Sequence, residues 1–511
     1  MRKPLMLVIA ATAVLLSVAT SALGSSDRRT AGPSGSAVVS VPTDPGNLDP
    51  QLTLLQAARY VDTYAYDTLV NLTGPGKIAS GLAQSWKVIS PKKVEFTLRR
   101  NISCSDGTKM TASVVKQNLD FVGNPANKSP LLGLFMPIGA KVTANNGART
   151  VVVTTTSPNP FMIQGLALVQ LVCSKGLANG SLLDHGTDGT GPYRLTGAVP
   201  GDHYTFAVRK GYTWGPNGAS TAAKGLPAKV TVKVVTNETT AANLLLTGGL
   251  NLASIGGPDR SRLNKAHLFT VISPAQPNEL FFNENPGHPA ANPAVRKALV
   301  QALNLDQVGK VVTSGLGLKM TQLSLQNFTP CAGNSIAGSV PAYNPSAARS
   351  ALSGAGTMKL LYATDAGPSY APTAELMQEQ LSSAGAKITL EPQSTADLQA
   401  TIFGTGDWDV LIIGIGVANP AQFVSLLSGP TPPNGTNFAG INNAAYKQAV
   451  ARASRRVGAT GCKVWLDGER ALFKSADVAP LEVTTSGTYG RKLTFKMGVE
   501  GPLPITLRLT K

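Results

Sequence analysis

Apolar and polar residues alternate most clearly where Val94, Phe96 and Leu98 are separated by Glu95 and Thr97. A period of two puts the apolar side chains on one face, so residues 94–99 are expected to form a half-buried strand. Residues 86–89 precede it across Ser90-Pro91-Lys92, which predicts an antiparallel hairpin within 84–103. The period then changes. After a turn at Ser105-Asp106-Gly107-Thr108, Thr111 stands where a helix cap belongs, and Val115, Leu119 and Val122 recur at helical spacing over 112–122. A second helix is marked by Asn292 as cap, Pro293 in the first turn and a stripe of Val295, Ala298, Leu299, Ala302 and Leu303. Asp306 is expected to cap a further short helix that stops at Gly315.

Residues 357–416 carry the topology. A strand at 359–363, a helix around 373–384 ended by Gly385 and a strand at 387–392 follow one another. A helix around 396–403 ended by Gly404 and a strand at 408–415 complete a β-α-β-α-β unit. Such units form parallel sheets with right-handed crossovers. Ligands sit at the carboxyl ends of those strands, which points to Thr364-Asp365 and to 415–419 as pocket edges.

Composition narrows the class. The 511 residues exceed the usual size of one domain. Charged residues are only 14%, against about 25% in average globular domains. With 43% apolar residues, 52 Gly and 35 Pro, the chain is folded and loop-rich, and disorder is excluded. A net charge of +17 raises nucleic acid, a membrane surface or an anionic wall polymer as partners. The basic residues are scattered, however, with pairs such as Lys92-Lys93, Arg99-Arg100 and Arg455-Arg456 and no basic stripe, so no nucleic-acid partner is expected.

The first residues predict export. Arg2 and Lys3 precede an apolar run from Leu5 to Ala19 and the small-residue stretch Ala22-Leu23-Gly24-Ser25. This is the pattern of a secretory signal over 1–24, cleaved after Gly24. The run falls short of the roughly 20 residues of a membrane span, although retention as an anchor is the alternative. Residues 25–37 read as a flexible tether.

Cys104, Cys173, Cys331 and Cys462 have no C-x-x-C spacing, and no histidine stands at metal-ligand spacing from them. In an exported protein they are expected to form two disulfides, for which three pairings exist; free buried thiols are the alternative. No metal or cofactor is expected. His185, His203, His267 and His288 match no H-E-x-x-H pattern, and no G-x-S-x-G elbow occurs. Gly414-Ile415-Gly416 follows a strand, but Asn419 occupies the place of the third glycine of a dinucleotide fingerprint. Asp407 and Asp409 flank Trp408 on an expected strand and would share a face. No catalytic constellation emerges, so no enzymatic activity is expected.

An ordered set of segments resembles the family 5 extracellular solute-binding proteins, the peptide/nickel type that feed ABC importers. It runs through Asn47-Leu48-Asp49-Pro50, Tyr66-Asp67-Thr68-Leu69-Val70 and Gly81-Leu82-Ala83-Gln84-Ser85-Trp86. Phe96-Thr97-Leu98-Arg99 with Ser105-Asp106-Gly107 and Thr111-Ala112 follows, then Gly189-Thr190-Gly191-Pro192-Tyr193. Val295-Arg296-Lys297-Ala298-Leu299 with Ala302-Leu303-Asn304, and 347–356, complete the set, which covers nearly all of 38–511.

The resemblance implies an α/β, two-lobed periplasmic-binding-protein-like fold, type II of the large cluster with an extra subdomain. Lobe 1 is expected at 38–273 with a return at 478–511, its extra subdomain around 71–188, and lobe 2 at 274–477. With those lobes, the pairing Cys104–Cys173 and Cys331–Cys462 keeps each disulfide inside one lobe, and each bond closes a long loop and adds about 4 kcal/mol. The implied function is capture of a small-molecule or peptide solute in the inter-lobe cleft by a monomer and delivery to an ABC permease. A secreted hydrolase, or a non-transport extracellular binding protein on the same fold, is the rival.

Candidate pocket residues are Gln56, Arg59 and Tyr60 after Pro50, which match the region facing the cleft in the family; Asn278 and Glu279 at the hinge; Asp365, Ile415 and Asn419 after lobe-2 strands; and Trp408 as a stacking surface, for which a place in the core is the simpler alternative. Two departures stand out. Peptide-binding members carry an aspartate for the peptide ammonium after the strand matching 408–415, where this chain reads Gly414-Ile415-Gly416-Val417-Ala418-Asn419-Pro420. A buried ammonium without a carboxylate is costly, so a non-peptide, neutral or anionic solute gains weight. Many Gram-positive relatives have a lipid-modified cysteine after the signal; here Ser25 stands there and Cys104 is the first cysteine. An exported protein, periplasmic or associated with the cell envelope without a lipobox cysteine, is therefore expected.

Overall fold

Ala37, Val39 and Val41 are buried and alternate with more exposed neighbours, so the strand Ser36–Val41 begins two residues inside the expected tether. The computed structural model describes residues 32–511 except Pro75 and Asn327; the expected signal segment, 1–24, and residues 25–31 of the tether lie outside the described residues. Ser36–Val41 pairs in parallel with Lys229–Val234 and with Leu252–Ile255. His203–Val208 and Tyr193–Val199 extend this sheet as antiparallel strands.

The hairpin forms as Ala83–Ser90 and Lys93–Leu98, with Val94, Phe96 and Leu98 buried. It belongs to a separate four-stranded antiparallel sheet completed by Thr150–Thr154 and Lys141–Asn145. The helix Ala112–Gly123 is capped by Thr111, whose hydroxyl accepts from the Val114 amide at 3.3 Å. These elements share one core with the first sheet, and Cys104 and Cys173 are disulfide-bonded within it.

In the second lobe Thr357–Ala363 pairs in parallel with Lys387–Gln393 on one side and Val410–Ile413 on the other. The first strand of the β-α-β-α-β unit is therefore the central one. Both of its faces are buried. Met358, Leu360 and Tyr362 pack against Ala374, Met377 and Leu381 of the helix Tyr370–Ser383. Leu361 and Ala363 share the opposite core with Leu398 of the helix Thr395–Ala400 and with Trp408. The last strand is shorter than expected, and Asp407, Trp408 and Asp409 precede it. Asp409 instead accepts from the Lys359 amide at 2.8 Å, while Asp407 pairs with the Lys359 ammonium.

Asn292 caps the helix Pro293–Ala302 as expected. The next helix, Leu305–Val312, is capped by Asn304, whose side chain accepts from Gln307 N at 3.1 Å. Asp306 is already inside the first turn and pairs with Lys319, so it is not the cap. Cys331 and Cys462 form the second disulfide. None of the described helices is long and apolar enough to cross a membrane.

Two long antiparallel strands, Phe269–Phe282 and Val478–Gly490, join the lobes. Leu252–Ile255 pairs with the second and Val410–Ile413 with the first, so one 11-stranded sheet runs through both lobes. The ladder shifts register between Pro274 and Pro277 and again between Pro277 and Glu279. Proline has no amide to donate, and its presence inside a sheet breaks the ladder locally. Side chains take over. Gln276 N donates to Thr484 Oγ1 at 3.1 Å, Gln276 Nε2 to Gly414 O at 2.7 Å and Asn278 Nδ2 to Glu482 O at 2.9 Å. The regular ladder is thus interrupted at 274–279, where the sheets of the two lobes meet; this is the point expected to act as the pivot.

Away from the pivot the lobes touch. Phe161, next in sequence to Met162 and Ile163 of the first lobe's core, packs against Cys331, Ala453 and Trp465 of the second, with its ring 6.2 Å from the tryptophan. Gly458 N donates to Pro160 O at 2.9 Å, and Gly76 N to Phe328 O at 3.1 Å.

Glu279 sits in the pivot with no solvent exposure. Its Oε2 accepts from Ile415 N at 3.0 Å, and Oε1 has no partner. Burial pushes this carboxyl well above its ordinary value of 4.5. The folded protein thus retains a proton that the unfolded chain releases, so the carboxyl's contribution is full below about pH 4.5 and is lost as pH rises. Glu279→Gln keeps the shape without the titration. In urea titrations the midpoint of the variant, relative to the native protein, should rise steadily from pH 5 to pH 8. A pH-independent difference would contradict a protonated Glu279.

Candidate functional site

The three parallel strands of the first lobe all point their carboxyl ends at the pivot. Residues 40–43 lie at the end of the first strand, Val235 and Thr236 follow the second, and Ser254 and Gly256 lie at the end of the third. There they enclose a cavity of about 820 Å³. The helix Gln56–Ala65, the hinge residues 272–275 and the loop 497–502 supply its other walls, and Phe328 reaches in from the second lobe. Its size falls in the range of small-molecule sites, roughly 300–1,000 Å³.

The charge of this cavity differs from that of the chain. Among the described residues that line it are Glu238 and Glu500, and no Lys, Arg or His. Glu500 is already neutralised: Arg59 Nη2 and Nε donate to its Oε1 at 2.5 and 2.8 Å. Arg59 also donates to Leu168 O at 2.8 Å and is 2% exposed, so it stands behind the wall beside a smaller cavity of about 80 Å³. Tyr60 lines the main cavity as a neutral phenol, its pKa pushed up to about 12 by burial. Gln56 Nε2 donates to Glu500 O at 2.9 Å, and the Ser254 and Thr488 hydroxyls are bonded at 2.8 Å.

Of the residues expected from sequence, Gln56 and Tyr60 border this cavity, and Arg59 braces it through Glu500. Asn278 and Glu279 are fully buried in the pivot, where Asn278 Oδ1 accepts from the Tyr370 hydroxyl at 2.8 Å. Trp408 is fully buried, with its ring 5.9 Å from that of Phe438. Asp365 accepts from Thr395 N and Oγ1 at 2.9 and 2.6 Å, and these bonds hold its carboxyl below the ordinary range. Asn419 caps the short helix Pro420–Phe423 in a reciprocal arrangement with Gln422, and Ile415 is tied to Glu279. None of these second-lobe residues lines the cavity.

Glu238, Ser254, Phe328, Thr488 and Glu500 were not singled out from sequence. One signal was available for Glu238. It follows Asn237, which caps the helix Glu238–Thr247, directly after the strand Lys229–Val234. The carboxyl-end rule that drew attention to 415–419 applies equally there.

Residues 77–435 match the model of the bacterial extracellular solute-binding proteins, family 5 Middle. The chain is 26% identical over 393 residues to the glutathione-binding protein GsiB of Pectobacterium atrosepticum, covering 72% of this chain and 71% of that one. The match to the counterpart from Escherichia coli strain K12 spans 55% of that relative. A substrate-binding protein from Microbacterium hydrocarbonoxydans, solved with 4-hydroxybenzoate hydrazide, superposes with a TM-score of 0.72 at 27% identity. That match covers 93% of this chain and 100% of the other. The peptide complex of the binding protein DppA from Helicobacter pylori superposes with a TM-score of 0.70 at 21% identity, covering 94% and 99%. The two-lobed fold, the cleft at the hinge and the family match over most of the chain agree: this chain belongs to the family 5 bacterial extracellular solute-binding proteins.

Proposed function

We propose that the protein captures a small uncharged or cationic solute in the cleft beside the hinge and hands it to the transmembrane subunits of an ABC importer outside the cytoplasm. The observation that carries the solute class is the cavity of about 820 Å³ with carboxylates and no cationic side chain in its described walls. A solute carboxylate buried there would lose its water without gaining a cationic partner, which costs several kcal/mol. This disfavours the anionic solute that the sequence left open, and it also disfavours glutathione, which carries two carboxylates. The hydrazide bound by the Microbacterium relative has its acid group masked, in keeping with such a cleft. Two disulfides that consume all four cysteines support an oxidising compartment.

A thermal-shift panel of amides, hydrazides, amines and acids checks this class. A solute at a hundredfold its Kd stabilises by about 2.7 kcal/mol. Uncharged or cationic members should raise the melting temperature, and glutathione and other free acids should not. Tighter binding of acids than of their amides would contradict the proposal. Closure is tested separately through Phe161, 2% exposed between the lobes. Phe161→Ala should increase the radius of gyration in X-ray scattering and weaken solute binding by lowering the closed population. Unchanged scattering and affinity would show that Phe161 does not hold the lobes together.

A further inference from the structure

Glu238 is the first residue of the helix Glu238–Thr247, and its side chain reaches across to the turn after the strand Leu252–Ile255. There Gly256 N donates to Oε1 at 2.5 Å and Gly257 N donates to Oε2 at 2.9 Å. Those two amides are its only hydrogen-bond partners among the described residues. The side chain is exposed on the cavity wall. The turn is shaped for this approach: a Cβ on Gly257 would lie 2.5 Å from Glu238 Oε2. Glu238 therefore differs from Glu500, the other carboxylate of the cavity, whose charge Arg59 cancels at 2.5 Å.

A carboxylate needs no cation while water solvates it. When a solute fills the cleft and expels that water, an unpaired anion at the wall becomes unfavourable. A positively charged group on the solute removes the imbalance. Both oxygens are oriented in advance by backbone amides, and the first turn of a helix favours a negatively charged group. Apart from Glu500, which Arg59 pairs, the rest of the described cavity lining is uncharged. The hydroxyls of Ser254 and Thr488 lie on the same wall, and Tyr60, Ile272, Phe328 and Met497 present apolar surface.

We infer that Glu238 receives a protonated amine or an amidinium of the solute, with the uncharged remainder of the solute lying toward Tyr60 and Phe328. This deepens the reading of the protein as a solute binder and rests on it. The acid absent from 414–420 is thereby supplied from the opposite lobe, by a helix rather than by a strand end.

Three amines serve as probes: 2-phenylethylamine, tryptamine and leucyl-phenylalaninamide, each compared with its N-acetyl derivative by calorimetry. At least one amine should bind the native protein, and its acetylated form should bind at least about tenfold more weakly. Glu238→Gln should weaken the amine about 10- to 100-fold. Gly257→Ala retains every charge but displaces the carboxylate, and it should weaken the same amine while leaving the acetylated form unaffected. Melting temperatures without solute verify that both variants are folded. Equal binding of amine and acetyl derivative, or native-like amine binding by Glu238→Gln, would overturn the assignment. Binding of uncharged solutes alone would overturn it too, yet leave the solute-binding reading standing. If no solute of any class binds, that reading fails and the role of Glu238 with it.

Discussion

Among the described residues, the backbone ladder between Phe269–Phe282 and Val478–Gly490 is the one connection through which the sheets of both lobes become a single sheet. Its ends are regular. Thr270 faces Tyr489 at one end and Phe281 faces Val478 at the other. The middle is not, because Pro274 and Pro277 each remove an amide donor and the register slips around them. Rigid ends and a softened middle are what a bending joint requires, since each lobe keeps its own packed core while the joint absorbs the rotation. The core around Phe96, Tyr193 and Phe206 lies on one side of the joint, and those around Leu360 and Leu411 on the other.

The joint also decides where the chemistry lies. The first lobe's parallel strands end beside it, so their following loops line a cavity that Phe328 enters from the second lobe. In this pocket the net charge of the chain is no guide. An excess of +17 is spread over the molecule, whereas the described cavity wall holds Glu238 and a Glu500 already paired with Arg59. At close range in a water-excluded cleft, individual charges outweigh the diffuse field of the surface.

Local order was legible in the sequence wherever one period or one cap sufficed. The alternation at Val94, Phe96 and Leu98 and the cap at Asn292 mark elements that form. The β-α-β-α-β unit was readable too, because its strand and helix periods alternate without interruption. Asp306 misled because Asp and Asn both cap helices, and Asn304 occupies the last position outside the helix. The cleft was harder. Arg59 meets Glu500 across 441 residues of sequence, and no local pattern announces such a pair. Trp408 was open to two roles, stacking on a solute or packing in the core, because an aromatic beside a strand end suits either, and it is packed in the core. The parallel order of Ser36–Val41, Lys229–Val234 and Leu252–Ile255 is equally non-local, so the carboxyl-end rule, although it applies after Lys229–Val234, had no sheet order to single that strand out.

The cavity at the hinge and the loops after the second-lobe strands make different claims about one location, and a crystal structure with a bound solute separates them most directly. We expect electron density for the solute between Tyr60, Ser254 and Phe328, in the cavity bounded by 272–275 and Thr488. Density centred instead on Asp365, Ile415 and Asn419, away from the first lobe's strand ends, would contradict the placement of the site.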